Sequence, residues 1–114
     1  MEKNEINISA IQMCAEIGDK QANFKKIDKL ASKIQKTDFI VLPEVWNIGW
    51  ACDKFQQNAE DINNSETINF LTELAVKKDA NIIGGSFITK DSNFTRSRRR
   101  QFTIFLYYFK IFYT

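Results

Sequence analysis

The segment DFIVLP, residues 38–43, contains four consecutive apolar residues and ends at the only proline of the chain. Strands that are buried on both faces, as in the middle of a parallel sheet, carry such unbroken apolar runs. Proline ends the run because it has no N–H for a sheet hydrogen bond. Residues 39–42 are therefore predicted to be an internal strand of a parallel sheet, which needs helices to cover it.

Two amphipathic segments flank this strand and supply those helices. Residues 20–36 place apolar side chains near helical spacing, with lysines on the other face and Asp19 as a plausible N-cap. Residues 65–79 repeat the pattern, with Ser65 as the N-cap and two lysines in the last turn. The sequence thus predicts one helix before the DFIVLP strand and one after it.

Residues 6–13 and 80–89 are predicted to be two further strands, the first of them largely buried. Gly84 and Gly85 in the later strand allow another backbone or a ligand to approach closely. The order strand, helix, strand, loop, helix, strand indicates a layered α/β fold with a parallel sheet core. The loop, residues 44–64, is longer than the usual two to six residues, and it begins at the carboxyl end of a strand, where such sheets bind ligands.

Glu44 stands at the entrance to this loop and has two interpretations. As a functional residue it would be a general base, because a carboxylate behind a buried strand is partly desolvated and its pKa rises toward the working pH. As a structural residue it would cap a helix or form an ion pair. Position alone favours the structural interpretation.

The segments ISAIQM, DFIVLPEVWNIGW and NIIGGSF, with a helix between each pair, resemble the N-terminal part of the nitrilase, or carbon–nitrogen hydrolase, superfamily. The likeness covers residues 6–89, and its most specific element is the strand that ends in Leu-Pro-Glu at Glu44. It implies an α/β fold, the N-terminal and incomplete part of an α-β-β-α sandwich. The segment around Glu44 looks closest to amidase-type members, including those similar to omega-amidases.

The resemblance also implies a mechanism. The family hydrolyses or transfers C–N bonds of small amides and nitriles through a thioester, using a Glu-Lys-Cys triad, and Glu44 matches the glutamate that serves as general base. Family members line the substrate pocket with the residues after this glutamate, so Trp46 and Trp50 are candidate substrate-binding residues. Packing of the loop onto the sheet explains the two tryptophans equally well.

The lysine and the nucleophilic cysteine of the triad have no counterpart here. In the family both lie downstream of the Gly-Gly strand, and this chain stops first. Cys14 and Cys52 do not lie in a strand-to-helix elbow, and the chain has no histidine to activate either thiol. The chain is therefore expected to be a truncated and inactive form of the hydrolase.

The composition changes abruptly after Asn93. Residues 1–93 hold all 14 acidic residues and 11 lysines, whereas residues 94–114 hold all four arginines, all three tyrosines and no acidic residue, a net charge of +5. Residues 1–93 are thus predicted to be the hydrolase part and residues 94–114 an atypical tail, explained most economically by a shifted reading frame or read-through. The tail is β-prone and is expected to add a strand to an open sheet edge, within the chain or between chains.

The alternative function is a non-catalytic protein that binds nucleic acid or an acidic membrane through the arginines and aromatic residues of the tail. For the hydrolase interpretation, the expected partner is a small-molecule amide or nitrile, with no cofactor, no metal and no nucleic acid, and homo-oligomer formation stays open. The two cysteines lack disulfide-scaffold spacing, and neither a signal peptide nor an apolar run of membrane-spanning length is present. A cytoplasmic location is expected.

Overall fold

The computed structural model describes residues 4–90 and, as backbone, a strand near the C-terminus. Its elements are β1 (Ile8–Ala10), α1 (Lys20–Ser32), β2 (Phe39–Val41), α2 (Cys52–Asn58), β3 (Glu60–Asp61), α3 (Glu66–Lys78), β4 (Asn81–Lys90) and β5 (Phe102–Phe109). Residues 1–3, 91–101 and 110–114 lie outside the described part. All four arginines of the tail fall there, so the predicted nucleic-acid or membrane interaction and the origin of the tail stay predictions.

The strands form one sheet around β4. Strand β2 runs parallel to both β1 and β4, β3 pairs in parallel with the far end of β4, and β5 is antiparallel to β4. Ile82 pairs with both β2 and β5, and Thr89 with both β3 and β5. Since a strand residue has one neighbour on each side, β2 and β3 share one edge of β4 and β5 occupies the other. The predicted α/β fold with a parallel core is confirmed, and residues 102–109 add a strand within the chain.

Helices α1 and α3 cover the same face of this sheet. Both crossovers, from β1 to β2 and from β2 to β4, move in one direction across the sheet, and right-handed connections then place their helices on one side. The helices and strands share a large buried cluster, formed by Ile11, Phe24, Ile27, Ala31, Ile40, Leu42, Trp46, Leu71, Leu74, Ala75, Ala80 and Ile82.

Both predicted helix caps are confirmed. The Asp19 carboxylate accepts a hydrogen bond from the Ala22 N–H, and the Ser65 hydroxyl accepts one from the Ile68 N–H. Such caps satisfy backbone donors that the first helical turn leaves free. Helix α1 ends at Ser32, four residues earlier than predicted, because residues 33–36 already turn toward β2.

The prediction of a largely buried first strand is wrong. Strand β1 is only three residues long, and Ile8 is 65% exposed. The two helices cover one face of the sheet, and within the described residues the opposite face at Ile8 carries no covering layer. For the same reason Phe39 and Val41 of β2 are half-buried, while Ile40 between them is fully buried.

The predicted long loop contains two elements that the sequence pattern did not indicate. Helix α2 buries none of its residues and has no side-chain N-cap, so it carries neither an amphipathic stripe nor a cap signal. Strand β3 is two residues long, too short for alternation to be visible. The connection from β2 to α3 is therefore a structured segment.

Candidate active site at the end of the second strand

The chain turns sharply as soon as β2 ends. The Leu42 N–H still donates to the Ile83 carbonyl at 2.9 Å, and Pro43 then ends the pairing. Val45 has a φ of 48°, a left-handed conformation that costs a β-branched residue about 1–3 kcal/mol. Such strain persists only where surrounding contacts enforce it, so the backbone direction after Glu44 is set by its neighbours.

Ser86 in β4 supplies the first of these contacts. The Val45 N–H donates both to the Ser86 carbonyl oxygen at 2.9 Å and to the Ser86 hydroxyl oxygen at 3.1 Å. The Gly49 N–H donates back to the Val45 carbonyl at 2.8 Å and closes the turn. The peptide that links Glu44 to Val45 is thereby fixed to β4.

Gly85 allows the turn to lie directly against β4. A Cβ atom at this position would lie 2.0 Å from the Pro43 carbonyl oxygen, and Gly85 has a φ of +68°. The register of β4 with β5 also shifts between Ile83 and Ser86, across the two glycines. The close approach predicted for the Gly-Gly pair is thus made by the backbone of Pro43.

Glu44 itself is exposed, so the expectation that its position behind a buried strand desolvates it is wrong for the described residues. The turn buries the side chains that follow it, from Val45 to Ile48, and leaves the Glu44 side chain on the outer side. The carboxylate is consequently open to solvent at the carboxyl end of β2. Its backbone is rigidly held even though its side chain is free.

Trp46 is a core residue. It is 1% exposed, and its indole Nε1–H donates to the Gly84 carbonyl at 2.8 Å. Its ring lies 5.7 Å, centroid to centroid, from the rings of both Phe24 and Phe70. Of the two interpretations of Trp46, the described contacts are those of packing.

Trp50 has the opposite environment. It is 65% exposed and rests edge-on against Phe55, with ring centroids 5.7 Å apart. The two tryptophans proposed together as pocket residues are therefore separated by the turn, one inside the core and one on the surface. Trp50 stays a predicted substrate-binding residue.

Glu60 is a buried carboxylate that no sequence motif indicated. One carboxylate oxygen accepts hydrogen bonds from the Ser65 hydroxyl and the Thr67 N–H, and the other accepts from the Thr67 hydroxyl and the Asn47 side-chain amide. Lys20 Nζ lies 3.1 Å from the second oxygen. The only local signal was an acidic residue shortly before the hydroxyl-rich start of α3, where a negative charge is favourable.

The pKa of Glu60 reflects these contacts. Burial, the largest single influence, raises the pKa, but the side-chain hydrogen bonds from Ser65 and Thr67, the Thr67 N–H and the Lys20 charge together lower it below the ordinary value of 4.5. Lys20 on α1 is shared between two carboxylates, because Glu66 on α3 also places a carboxylate oxygen 3.3 Å from Lys20 Nζ. Glu60 is thus held as an anion.

Folding is expected to weaken in acid through Glu60. Because folding lowers its pKa, the stabilisation is present above the ordinary value of 4.5 and is lost as the pH falls through the folded-state pKa. Urea unfolding of wild type and Glu60→Gln from about pH 7 to about pH 3 measures the effect. Wild type is expected to be more stable by about 1.5–3 kcal/mol at neutral pH and to lose that advantage in acid. Parallel pH profiles would contradict this assignment.

In the part of the chain that the structure describes, neither a cysteine nor a lysine is paired with Glu44. Cys14 and Cys52 are both free and exposed. Lys77 pairs with Asp28 at 3.9 Å, and Lys78 Nζ donates to the Ile34 carbonyl at 2.7 Å. Among the residues that the structure describes, no cluster of His, Cys, Asp or Glu is suited to a metal ion, and no helix is long and apolar enough to cross a membrane.

Known proteins are similar to this chain in sequence and in fold. The family described as carbon-nitrogen hydrolase matches residues 7–103. A 2-oxoglutaramate amidase of Paenarthrobacter nicotinovorans is 31% identical over 91 residues, which cover 78% of this chain and 31% of that protein. An omega-amidase of Yersinia enterocolitica is 41% identical over 68 residues, 60% of this chain and 25% of that protein.

Solved structures agree with the sequence matches. The nitrilase-superfamily protein Nit3 of Saccharomyces cerevisiae has a TM-score of 0.65 and 29% identity, over 76% of this chain and 35% of the yeast chain. A CN-hydrolase superfamily protein of Xanthomonas campestris, with an arsenic adduct in its active site, has a TM-score of 0.70 and 22% identity, over 79% of this chain and 33% of that chain. The latter likeness concerns the fold alone.

The chain spans about a third or less of the length of these relatives. The family match at residues 7–103 includes strands β1 to β4, helices α1 and α3, and Glu44. With the family match extending over most of its residues, this chain belongs to the carbon–nitrogen hydrolase family.

Proposed function

We propose that Glu44 is the general base of an amide-hydrolysing site of the carbon–nitrogen hydrolase type. The observation that carries the proposal is the strained turn that ties the Glu44 backbone to β4 through Val45 and Ser86 while leaving the carboxylate exposed. A general base needs a fixed position and access to the proton that it takes. Glu44 meets both requirements at the end of a parallel strand, where α/β sheets place ligands.

The chemistry follows from the family resemblance. A cysteine thiol gives its proton to the Glu44 carboxylate, and the resulting thiolate attacks the amide carbon. Glu44 then returns this proton to the amide nitrogen, which leaves as ammonia as the C–N bond breaks and the thioester remains. Glu44 then takes a proton from the water that cleaves the thioester. A lysine stabilises the negative oxygen of the intermediates. The names of the relatives favour an omega-amide such as 2-oxoglutaramate as the substrate class.

We further propose that the 114 residues alone do not hydrolyse amides, since no residue matches the lysine or the nucleophilic cysteine of the triad. The test measures the rate at which the purified chain releases ammonia from 2-oxoglutaramate. This rate is expected to be no higher than that of the Glu44→Gln variant. Turnover that is lost in Cys14→Ala or Cys52→Ala would show that one of these exposed thiols is a nucleophile and would overturn the proposal.

The role of Glu44 is tested in a chimera in which residues 7–90 replace the corresponding part of the 2-oxoglutaramate amidase of Paenarthrobacter nicotinovorans, which matches this chain over 91 residues. Glu44→Gln in this chimera is expected to lower kcat by about 100-fold or more, because a positioned general base contributes about that much. Glu73→Gln, which changes an exposed carboxylate on α3, is the matched control and should leave kcat unchanged. Equal kcat in the parent chimera and Glu44→Gln would refute the assignment.

A further inference from the structure

Asn47 attaches the Glu44 turn to the helices beneath it. Its side chain is buried, and its Nδ2 donates to Glu60 at 3.2 Å and to the Thr67 hydroxyl at 3.0 Å. The Asn47 carbonyl accepts a hydrogen bond at 2.8 Å from the side chain of Asn23 on α1. Ser86 therefore holds one side of the turn, and a polar network holds the other, three residues after Glu44.

The carboxylate of Glu60 is the centre of this network. Its donors come from three separate parts of the chain, namely Lys20 at the start of α1, Asn47 in the turn, and Ser65 and Thr67 at the start of α3. A carboxylate only accepts hydrogen bonds, so all of these donors can be satisfied at once. A neutral amide cannot replace it, because its NH₂ group would face one of the donors whichever way it turns.

Asn47 is held in one orientation at a cost. Its side-chain oxygen Oδ1 is buried without a hydrogen-bond partner among the described residues. Such an atom is destabilising, and turning the amide over would instead place Oδ1 toward the Glu60 carboxylate and the Thr67 hydroxyl. The negative charge of Glu60 forbids that turn, because it attracts the NH₂ group and repels the oxygen. Glu60 thereby decides which way Asn47 faces.

We propose that Glu60 is a positioning residue that fixes the Glu44 turn through Asn47. The effect on catalysis rests on the proposed function of Glu44. The effect on the conformation of the turn can be measured without any enzyme activity. Glu60 does not take part in proton transfer, since it is buried among five donors and faces away from solvent. Its effect on catalysis is exerted through the conformation of residues 44–49.

Hydrogen exchange on the full 114-residue chain tests the proposal. The amides of Val45 and Gly49 report the turn, and those of Leu71 and Leu74 report α3. Urea is added to wild type until its global stability equals that of Glu60→Gln, so that the Leu71 and Leu74 amides are equally protected in the two proteins. At this matched stability the protection of the turn amides is expected to be about tenfold lower in Glu60→Gln, because the loss of a charged hydrogen bond has about that effect on a local opening equilibrium. The Asn47 side-chain amide signals should shift as their carboxylate acceptor disappears.

Glu66→Gln is the matched control. It also removes a carboxylate beside Lys20, but Glu66 is half-exposed, and among the described residues it contacts Lys20 and Gln21. The relative protection of the turn should therefore stay as in wild type. If Glu60→Gln does not fold, Thr67→Val removes the hydroxyl that joins Glu60 to Asn47 and should produce the same loss in smaller measure.

Equal protection of the turn amides in Glu60→Gln and in wild type at matched global stability would overturn the positioning role. In the active chimera, Glu60→Gln should lower kcat about tenfold with little change in KM. A displaced general base reduces the stabilisation of the transition state more than it reduces substrate binding. If the turn loosens but Glu44→Gln leaves kcat unchanged, the proposed function fails while the structural role of Glu60 stands.

Discussion

Replacing Gly85 by alanine is expected to destabilise the fold by about 3 kcal/mol or more, the sum of an unfavourable positive φ and a severe steric clash. The new Cβ would lie 2.0 Å from the Pro43 carbonyl oxygen and 2.9 Å from a ring carbon of Trp46. Both neighbours belong to the turn that carries Glu44, so the clash can be relieved only by moving that turn away from β4. Urea unfolding followed by far-UV circular dichroism measures the loss.

Gly18→Ala is the matched control for this substitution. Gly18 has a similar φ of +71°, but a Cβ there would meet only the aliphatic part of Lys54, at 3.7 Å. It therefore isolates the cost of the backbone conformation, about 1–2 kcal/mol. If Gly85→Ala cost no more than Gly18→Ala, the contact between Pro43 and β4 would not be a constraint on the turn.

Trp46→Ala is expected to cost about 3–5 kcal/mol, the usual range for a fully buried aromatic side chain. The substitution removes the contacts with Phe24 and Phe70 and leaves the Gly84 carbonyl without its indole donor. A small domain has a total free energy of unfolding of only about 5–15 kcal/mol, so this substitution removes a large part of it. Urea unfolding followed by far-UV circular dichroism is the appropriate measurement.

Trp50→Ala gives the comparison that separates packing from substrate binding. Because Trp50 is 65% exposed and contacts Phe55 only edge-on, its loss should cost about 1 kcal/mol or less. In the active chimera, Trp50→Ala is expected to raise KM for the amide if the residue lines the substrate pocket. Comparable losses of stability at Trp46 and Trp50 would contradict the assignment of Trp46 to the core.

Much of the fold could be predicted because its signals are local. The unbroken apolar run of β2, the apolar stripes of α1 and α3, and the caps at Asp19 and Ser65 each depend on residues a few positions apart. Alternation of apolar and polar residues does not reveal whether a covering layer exists, which is why β1 was expected to be buried. Helix α2 and strand β3 carry no apolar pattern and were therefore not predicted.

The candidate site was predictable only in part. The strand that ends in Leu-Pro-Glu placed Glu44 at the carboxyl end of a buried strand, and the structure agrees. The exposure of Glu44, the burial of Trp46 and the buried carboxylate of Glu60 could not be inferred, because each depends on the direction of the turn after Pro43. That direction is set by contacts with β4 and α3.

The sequence by itself determined the order of the main helices and strands, the family and the place of Glu44 at a strand end. The order of elements follows from periodicity, and the family follows from the resemblance of short motifs that are contiguous in the chain. The tertiary structure alone decided which side chains the turn buries and what Glu60 binds. The physical reason is distance along the chain, because the decisive hydrogen bonds join Trp46 to Gly84 and Val45 to Ser86, 38 and 41 positions apart, and only folding brings these groups together.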